Sequence, residues 1–330
     1  MKSKMESTVI RLTILLTSAC CIQGASAQTY PSKPLRIIVP FVTGGAVDGS
    51  ARALGSQIAE SIGQPVVVEN RPGGSSIIGM QACAKAPPDG YTVCLTTADS
   101  LSYNPYLFKN LPYDADKDFV PVINLARSNS MLLAKGNAPF ISFKEMIAYA
   151  KSKPGVLNWG TWGRASIPDV YLQWTKHQTG VDIAAVPYKG SGQAVPAVLA
   201  GEVDVTFMSI GAVLPSIKAG KLKPIAVVGN RRSPLLADVP SLAEEGADPG
   251  LRSYFGLFAP GGTPKPIVDR LNAEFAKAIQ TPRVQEFFRT LTLDVVGGSA
   301  DEFAQFLKEE RINAGRVFKA IGVRPGDAPS

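Results

Sequence analysis

Histidine is almost absent from this chain: His177 is the only one in 330 residues. It falls on a helical stretch rich in Lys and Gln and reads as an exposed helix residue, neither base nor ligand. A single histidine cannot supply H-E-x-x-H. No Ser-His-Asp set is recognisable, and G-x-S-x-G and G-x-x-x-x-G-K-[ST] are missing as well. Cysteine is scarce, four in all. Cys83 and Cys94 have no second pair or histidine nearby, so no metal centre is expected. Past the N-terminal segment no run reaches about 18 unbroken apolar residues, the length a membrane helix needs. The net charge of +7 comes without a dense Lys/Arg stripe interleaved with aromatics, which argues against nucleic acid. Arg231-Arg232 and the group Lys218, Lys221 and Lys223 read as solvated faces. There is no fixed-period repeat and no long Gly/Ser linker. Together these absences argue against an enzyme and against a cofactor.

What is present begins with an export pattern. Lys2, Lys4 and Arg11 precede a short apolar stretch, Leu12 to Ile22, and Ala25-Ser26-Ala27 is an A-x-A cleavage site. Residues 1–27 are expected to be a signal peptide, with a periplasmic mature chain starting at Gln28. Cleavage would leave two cysteines. Export permits a disulfide between Cys83 and Cys94, but two buried thiols suit the pattern equally well. At 45% hydrophobic and 18% charged, the chain can bury a full core, and its length suits two domains.

Strand and helix patterns alternate. Arg36 to Val39 reads as a strand, Asp48 to Ser61 as a helix with Ala51, Leu54, Ile58 and Ile62 on one face, and Val66 to Val68 as a strand. Ser76 to Lys85 then reads as a helix and Tyr91 to Leu95 as a strand. This βαβαβ order predicts a parallel sheet covered by helices. The second half has helices at 143–153 (N-cap Ser142), 169–179, 192–200 and 213–219. Strands are expected at 157–159, 184–188, 203–207 and 224–228. A last strand at 256–259 leads through Pro264 to a helix ending at Ile279, and 300–321 closes the chain as an amphipathic helix. Without a floppy linker, the chain is expected to cross between domains more than once, at 124–132 and 248–254.

Ligands of open α/β sheets sit beyond the C-terminal ends of strands. The loop Phe41 to Asp48 contains Thr43, Gly44 and Gly45, and opens a helix whose free N–H groups favour an anion. Asp48 would be an N-cap or first-turn acid. The glycines could equally make only a tight turn. The loop Gly160 to Pro168 offers Thr161, Gly163, Arg164 and Ser166, with Arg164 suited to grip a carboxylate and Trp162 to stack on a ring. A surface arginine and a packing tryptophan are the alternative. The loop from Tyr188 to Gly192 has the same design. A dinucleotide enzyme is the nearest rival fold, since strand, glycine turn, helix, strand and Glu69 imitate its layout. However, Gly44 to Gly49 lacks the second and third glycines of G-x-G-x-x-G.

Ordered segments along nearly the whole mature chain resemble the extracytoplasmic solute receptors of tripartite tricarboxylate transporters, the Bug family. They include PFVTGGAVD at 40–48, GQPVVVENRPGG at 63–74, APPDGYT at 86–92, VPYKGSG at 186–192 and FGLFAPGGTPKPIVDRLNAE at 255–274. The resemblance implies a type II periplasmic-binding-protein fold: two α/β domains hinged by crossing strands, with a ligand cleft between them. It implies domain 1 at 28–126 and 250–330, domain 2 at 127–249, and a monomer. A small carboxylate would be captured for membrane transporter subunits, with no catalysis. Binding would use Phe41 to Gly45, Thr161 to Ser166, and Thr97 to Ser100.

The chain departs from the family where the cleft is lined. Trp162 is large, Arg164 stands where Asn is usual, Asp169 where His often is, and Met208-Ser209 where Asp-Asn is common. Without an Asp at 208 to receive an ammonium group, an amino acid is less suited, and an aromatic or partly apolar carboxylate is favoured. The same pocket could still take an ordinary dicarboxylate. A sensory receptor that docks a membrane kinase would share this chemistry.

Overall fold

A computed structural model describes residues 30–162, 166–188 and 191–326. The export segment therefore lies outside the described residues, as do Gly163 and Arg164.

The chain builds two sheets. The first has strand order β11-β4-β10-β3-β1-β2, from β1 (Leu35–Val39), β2 (Val66–Asn70), β3 (Thr92–Thr97), β4 (Phe119–Ser128), β10 (Phe255–Pro260) and β11 (Leu293–Gly297). The second has order β7-β6-β8-β5-β9, from β5 (Ser130–Lys135), β6 (Leu157–Thr161), β7 (Ile183–Pro187), β8 (Val205–Ser209) and β9 (Leu222–Val227). The expected parallel arrangement holds for β2-β1-β3 and for β7-β6-β8. The remainder of each sheet is antiparallel. β10 runs against both β3 and β4, and β5 against both β8 and β9. The sheets are thus mixed, a correction to the purely parallel reading.

Helices α1 (Ala46–Ile62) and α2 (Ile77–Ala84) connect the parallel strands of the first sheet. Ala51, Leu54 and Ile58 of α1 face inward, as their spacing required. A five-residue π-turn (Asp99–Tyr103) and the short α3 (Asn104–Leu107) follow β3. Helices α4 (Phe143–Ser152), α5 (Ile167–Thr179), α6 (Ser191–Ala200) and α7 (Ile210–Lys218) clothe the second sheet. Ser142 caps α4, its hydroxyl accepting the Glu145 N–H. Helices α8 (Lys265–Ala278), α9 (Pro282–Thr290) and α10 (Ala300–Ala320) return to the first sheet. Ser299 and Glu302 form a reciprocal capping box at the start of α10. Further along, Arg316 of α10 lies over the Trp174 ring of α5, 5.4 Å from its centroid, so the last helix also touches the second domain.

The chain leaves the first sheet after Ser128 and enters the second at Ser130, so one residue, Asn129, separates them. It returns through 228–254. Cys83 of α2 and Cys94 of β3 are both fully buried and form a disulfide, resolving the alternative that the sequence left open. Closing a loop this short stabilises a fold by about 2–3 kcal/mol. Among the described residues no helix is long and apolar enough to cross a membrane. None of them form a group of three or more His, Cys, Asp or Glu that could hold a metal ion.

Candidate ligand cleft

Strand β1 pairs with β2 on one side and β3 on the other, so the loops leaving β1 and β3 diverge and open a crevice. Strand β6 does the same between β7 and β8. Both openings give onto one cleft of about 830 Å³ at the junction of the sheets. Phe41 and Val47 reach it from the first loop, Thr97 and Asp99 from β3, Trp162 and Ile167 from β6, and Met208 and Ser209 from β8. Arg127 to Ser130 form its hinge side. A larger depression of about 1120 Å³ lies between residues 105–121 and α10. It contains none of the strand-end loops, and we place the site in the cleft.

The loop after β1 is held from behind. Gly44 has φ +85°, a left-handed conformation that a side chain would strain. Its N–H donates to Asp48 Oδ2 at 2.9 Å. Arg52 pairs with the same carboxylate, Nη2 to Oδ1 at 3.0 Å, and donates to Asn70 Oδ1; Asn70 Nδ2 in turn donates to the Phe41 carbonyl. Burial would raise the pKa of Asp48, but hydrogen bonds from Arg52 and Gly44 prevail and hold it below the ordinary carboxylate range. Asp48 and the Gly44 N–H are therefore committed to each other and position the loop. Thr43, Gly44 and Gly45 are exposed, whereas Phe41, Ala46 and Val47 face the cleft. Gly45 is the N-cap of α1 and no side chain caps it, so the first turn presents its N–H groups and positive dipole end there. Replacing Asp48 by Asn should cost about 1 kcal/mol, because Arg52 is half exposed and solvent screens the pair. Urea unfolding checks this, and an unchanged midpoint would remove the network's claim on the loop.

The loop after β3 divides the two residues expected there. Thr97 lines the cleft and its hydroxyl donates to Asp99 Oδ2 at 3.3 Å. Ser100 is fully buried behind the wall. Its hydroxyl donates to Ser76 Oγ at 2.7 Å and also bonds Thr96, while its carbonyl accepts the Tyr113 hydroxyl. Ser100 braces the π-turn and does not border the cleft. Asp99 is half-buried in the cleft wall, and desolvation pushes its carboxyl up to about 6, the Thr97 hydrogen bond opposing this.

In the second domain Thr161 is 1% exposed, and its carbonyl accepts the Tyr188 N–H at 2.8 Å. Tyr188 packs with Trp162 on the cluster around Met208, behind the lining. The Trp162 main-chain N–H donates to Ser166 Oγ at 3.2 Å, and its indole Nε1 is buried without a hydrogen-bond partner. Of the side chains named from sequence, the fold brings Phe41, Thr97, Trp162 and Met208 together in the cleft. It puts Asp48, Ser100, Thr161 and Tyr188 behind that lining. Arg127, Asp99 and Phe306 also line the cleft, and no local motif marks them.

Residues 50–323 match the family described as tripartite tricarboxylate transporter family receptor. The chain belongs to that family. BugT of Bordetella pertussis is 33% identical to the receptor over 313 residues, covering 94% of this chain and 96% of BugT. The structure of Rpa4515 from R. palustris with adipate is similar at 32% identity and TM-score 0.78, covering 90% of the receptor and all of that chain. MatC from Rhodopseudomonas palustris with bound malate gives 31% identity and TM-score 0.74, covering 88% of the receptor and all of MatC. The receptor is a two-domain solute-binding protein of a family of periplasmic receptors, not an enzyme.

Proposed function

We propose that the receptor captures a small organic carboxylate in the cleft and presents it to the membrane subunits of a tripartite transporter. The observation that carries this reading is the uncapped N-terminus of α1 opening into the cleft at a topological switch point. An anion there gains main-chain hydrogen bonds and the helix dipole without any catalytic group. The adipate and malate held by the two relatives are acids of this kind. Phe41, Trp162 and Met208 give the cleft apolar walls, which supports a partly apolar or aromatic acid. Asp99 supplies an acid that could meet an ammonium group, so Met208 alone does not argue against an amino acid. Gly163 and Arg164 would complete the second-domain wall.

The reading includes export, with cleavage after Ala27, and a monomer. The proposed domain 1 spans 28–126 and 250–330, and domain 2 spans 127–249. Sheet membership supports this division, although β4 runs on to Ser128. Closure of the domains would trap the ligand.

The test is the thermal midpoint of the chain from Gln28 against aliphatic diacids, acidic amino acids and aromatic acids. A ligand at a hundredfold excess over Kd adds about 2.7 kcal/mol and should raise the midpoint by several degrees. A shift with aromatic acids supports the apolar lining, and a shift with aliphatic acids alone removes it. No shift with any acid would overturn the carboxylate reading.

A further inference from the structure

Arg127 is the penultimate residue of β4, two positions before the single-residue crossing at Asn129. Its backbone pairs with Asp294 of β11, and its guanidinium carbon lies 5.4 Å from the Phe306 ring centroid on α10. Both Arg127 and Phe306 line the cleft. The Arg127 Nε is buried and has no hydrogen-bond partner among the described residues, nor does any described carboxylate form an ion pair with this side chain.

The other cations of the cleft differ. Arg252 is paired with Asp248 at 2.9 Å, and Arg232 with Glu244 at 2.9 Å. Arg231 is fully solvated at the rim. Arg127 alone among them combines a desolvated donor with no anionic partner. Leaving a buried charged donor unsatisfied is costly, so such a group is retained where something else completes it. The aromatic ring stabilises the cation and covers one side, leaving the planar fork to meet a carboxylate edge-on.

We infer that Arg127 is a ligand-binding, specificity-determining residue: it pairs with a second anionic group on the ligand, separate from the one at the α1 N-terminus. This rests on the carboxylate-receptor reading and goes further, because main-chain N–H groups alone bind monoacids and diacids alike at that end. The position matters as well. A ligand group held by Arg127 sits beside the crossing residue, next to Ser130 and Ser209 of the second domain, where a contact bears on closure.

The experiment is calorimetric titration of the wild-type receptor, R127M and R127K with two matched pairs. These are adipate against hexanoate, and benzene-1,4-dicarboxylate against benzoate. Wild type should bind the preferred diacid at least about tenfold tighter than its monoacid. R127M should lose about 30-fold or more for that diacid and stay within about threefold for the monoacid, the size expected for removing one partner of a desolvated charge pair. R127K should retain part of the preference, since it keeps the charge without the fork. The unliganded thermal midpoint of R127M should equal that of wild type or exceed it, because no protein partner is lost. An undiminished diacid preference in R127M overturns the inference and leaves the receptor reading intact. A wild type that binds none of the four acids overturns both for this ligand class.

Discussion

Replacing Gly79 by alanine should destabilise the receptor by about 3 kcal/mol, the upper end of the usual cost of overpacking. A Cβ at this position would stand 2.6 Å from Pro40 Cβ and 2.7 Å from both Pro40 Cα and the Arg71 carbonyl. None of these atoms can move freely. Pro40 continues β1 into the cleft loop at Phe41, and Arg71 is tied back to β1 through its N–H to the Val39 carbonyl at 2.8 Å. Helix α2 would therefore have to lift from the sheet, drawing the cleft loop with it, so ligand affinity should fall together with stability. Gly45→Ala is the contrast. That position has φ −78°, and its Cβ would meet only the Val42 carbonyl at 3.6 Å, so the fold should be unaffected. Urea unfolding of the two variants decides the matter. A Gly79→Ala protein within 1 kcal/mol of wild type would show that α2 can slide off Pro40 at little cost.

The second large effect is on pH dependence. Glu310 of α10 is 3% exposed, and its Oε1 accepts the Tyr103 hydroxyl at 3.0 Å and the Arg252 N–H at 2.9 Å. Burial pushes its carboxyl up to about 7, against the opposing hydrogen bonds and the Arg252 charge, while Asp248 adds to the rise. Between its ordinary value of 4.5 and about 7, the folded protein therefore holds a proton that the unfolded chain has released. Stability from this group is full below the lower value and is lost as pH rises through the upper one, amounting to about 3 kcal/mol. Asp99, raised to about 6, acts in the same direction, and Asp48, with a lowered pKa, acts in the opposite one. Unfolding free energies at pH 5 and pH 8 should show wild type losing stability at the higher pH. Glu310→Gln should lose much less, since a neutral amide can still accept both hydrogen bonds. Equal losses in the two proteins would assign the dependence to other groups. Tyr103 and Arg252 also border the cleft, so this titration takes place directly behind the binding wall.

Much of this was present in local sequence. The three- and four-residue spacing of Ala51, Leu54 and Ile58, the Ser142 cap and the glycine turns all act over a few residues, so pattern alone located those elements and the loops that follow them. The resemblance across the mature chain supplied the family and the two-domain plan. β4, β5 and β11 escaped notice. β4 contains Pro121, Asn124 and Arg127 and is a strand because β10, well over a hundred residues later, runs antiparallel beside it. Sequence separation also hid the disulfide choice, since Cys83 and Cys94 meet only once α2 packs on β3, with their Cα atoms 6.1 Å apart.

The site divides in the same way. Sequence by itself determined which loops end the strands, because strand direction and the loop-opening rule are local properties. Tertiary structure decided which side chains in those loops face the cleft. Asp48 was named as a ligand group, but Arg52 and Gly44 take its carboxylate; Ser100 was named, but Ser76 and Tyr113 enclose it. Arg127 belonged to no motif, yet it ends with a desolvated donor and no partner. Whether a polar group is satisfied depends on atoms brought in from distant strands and helices, and residue spacing carries no record of them.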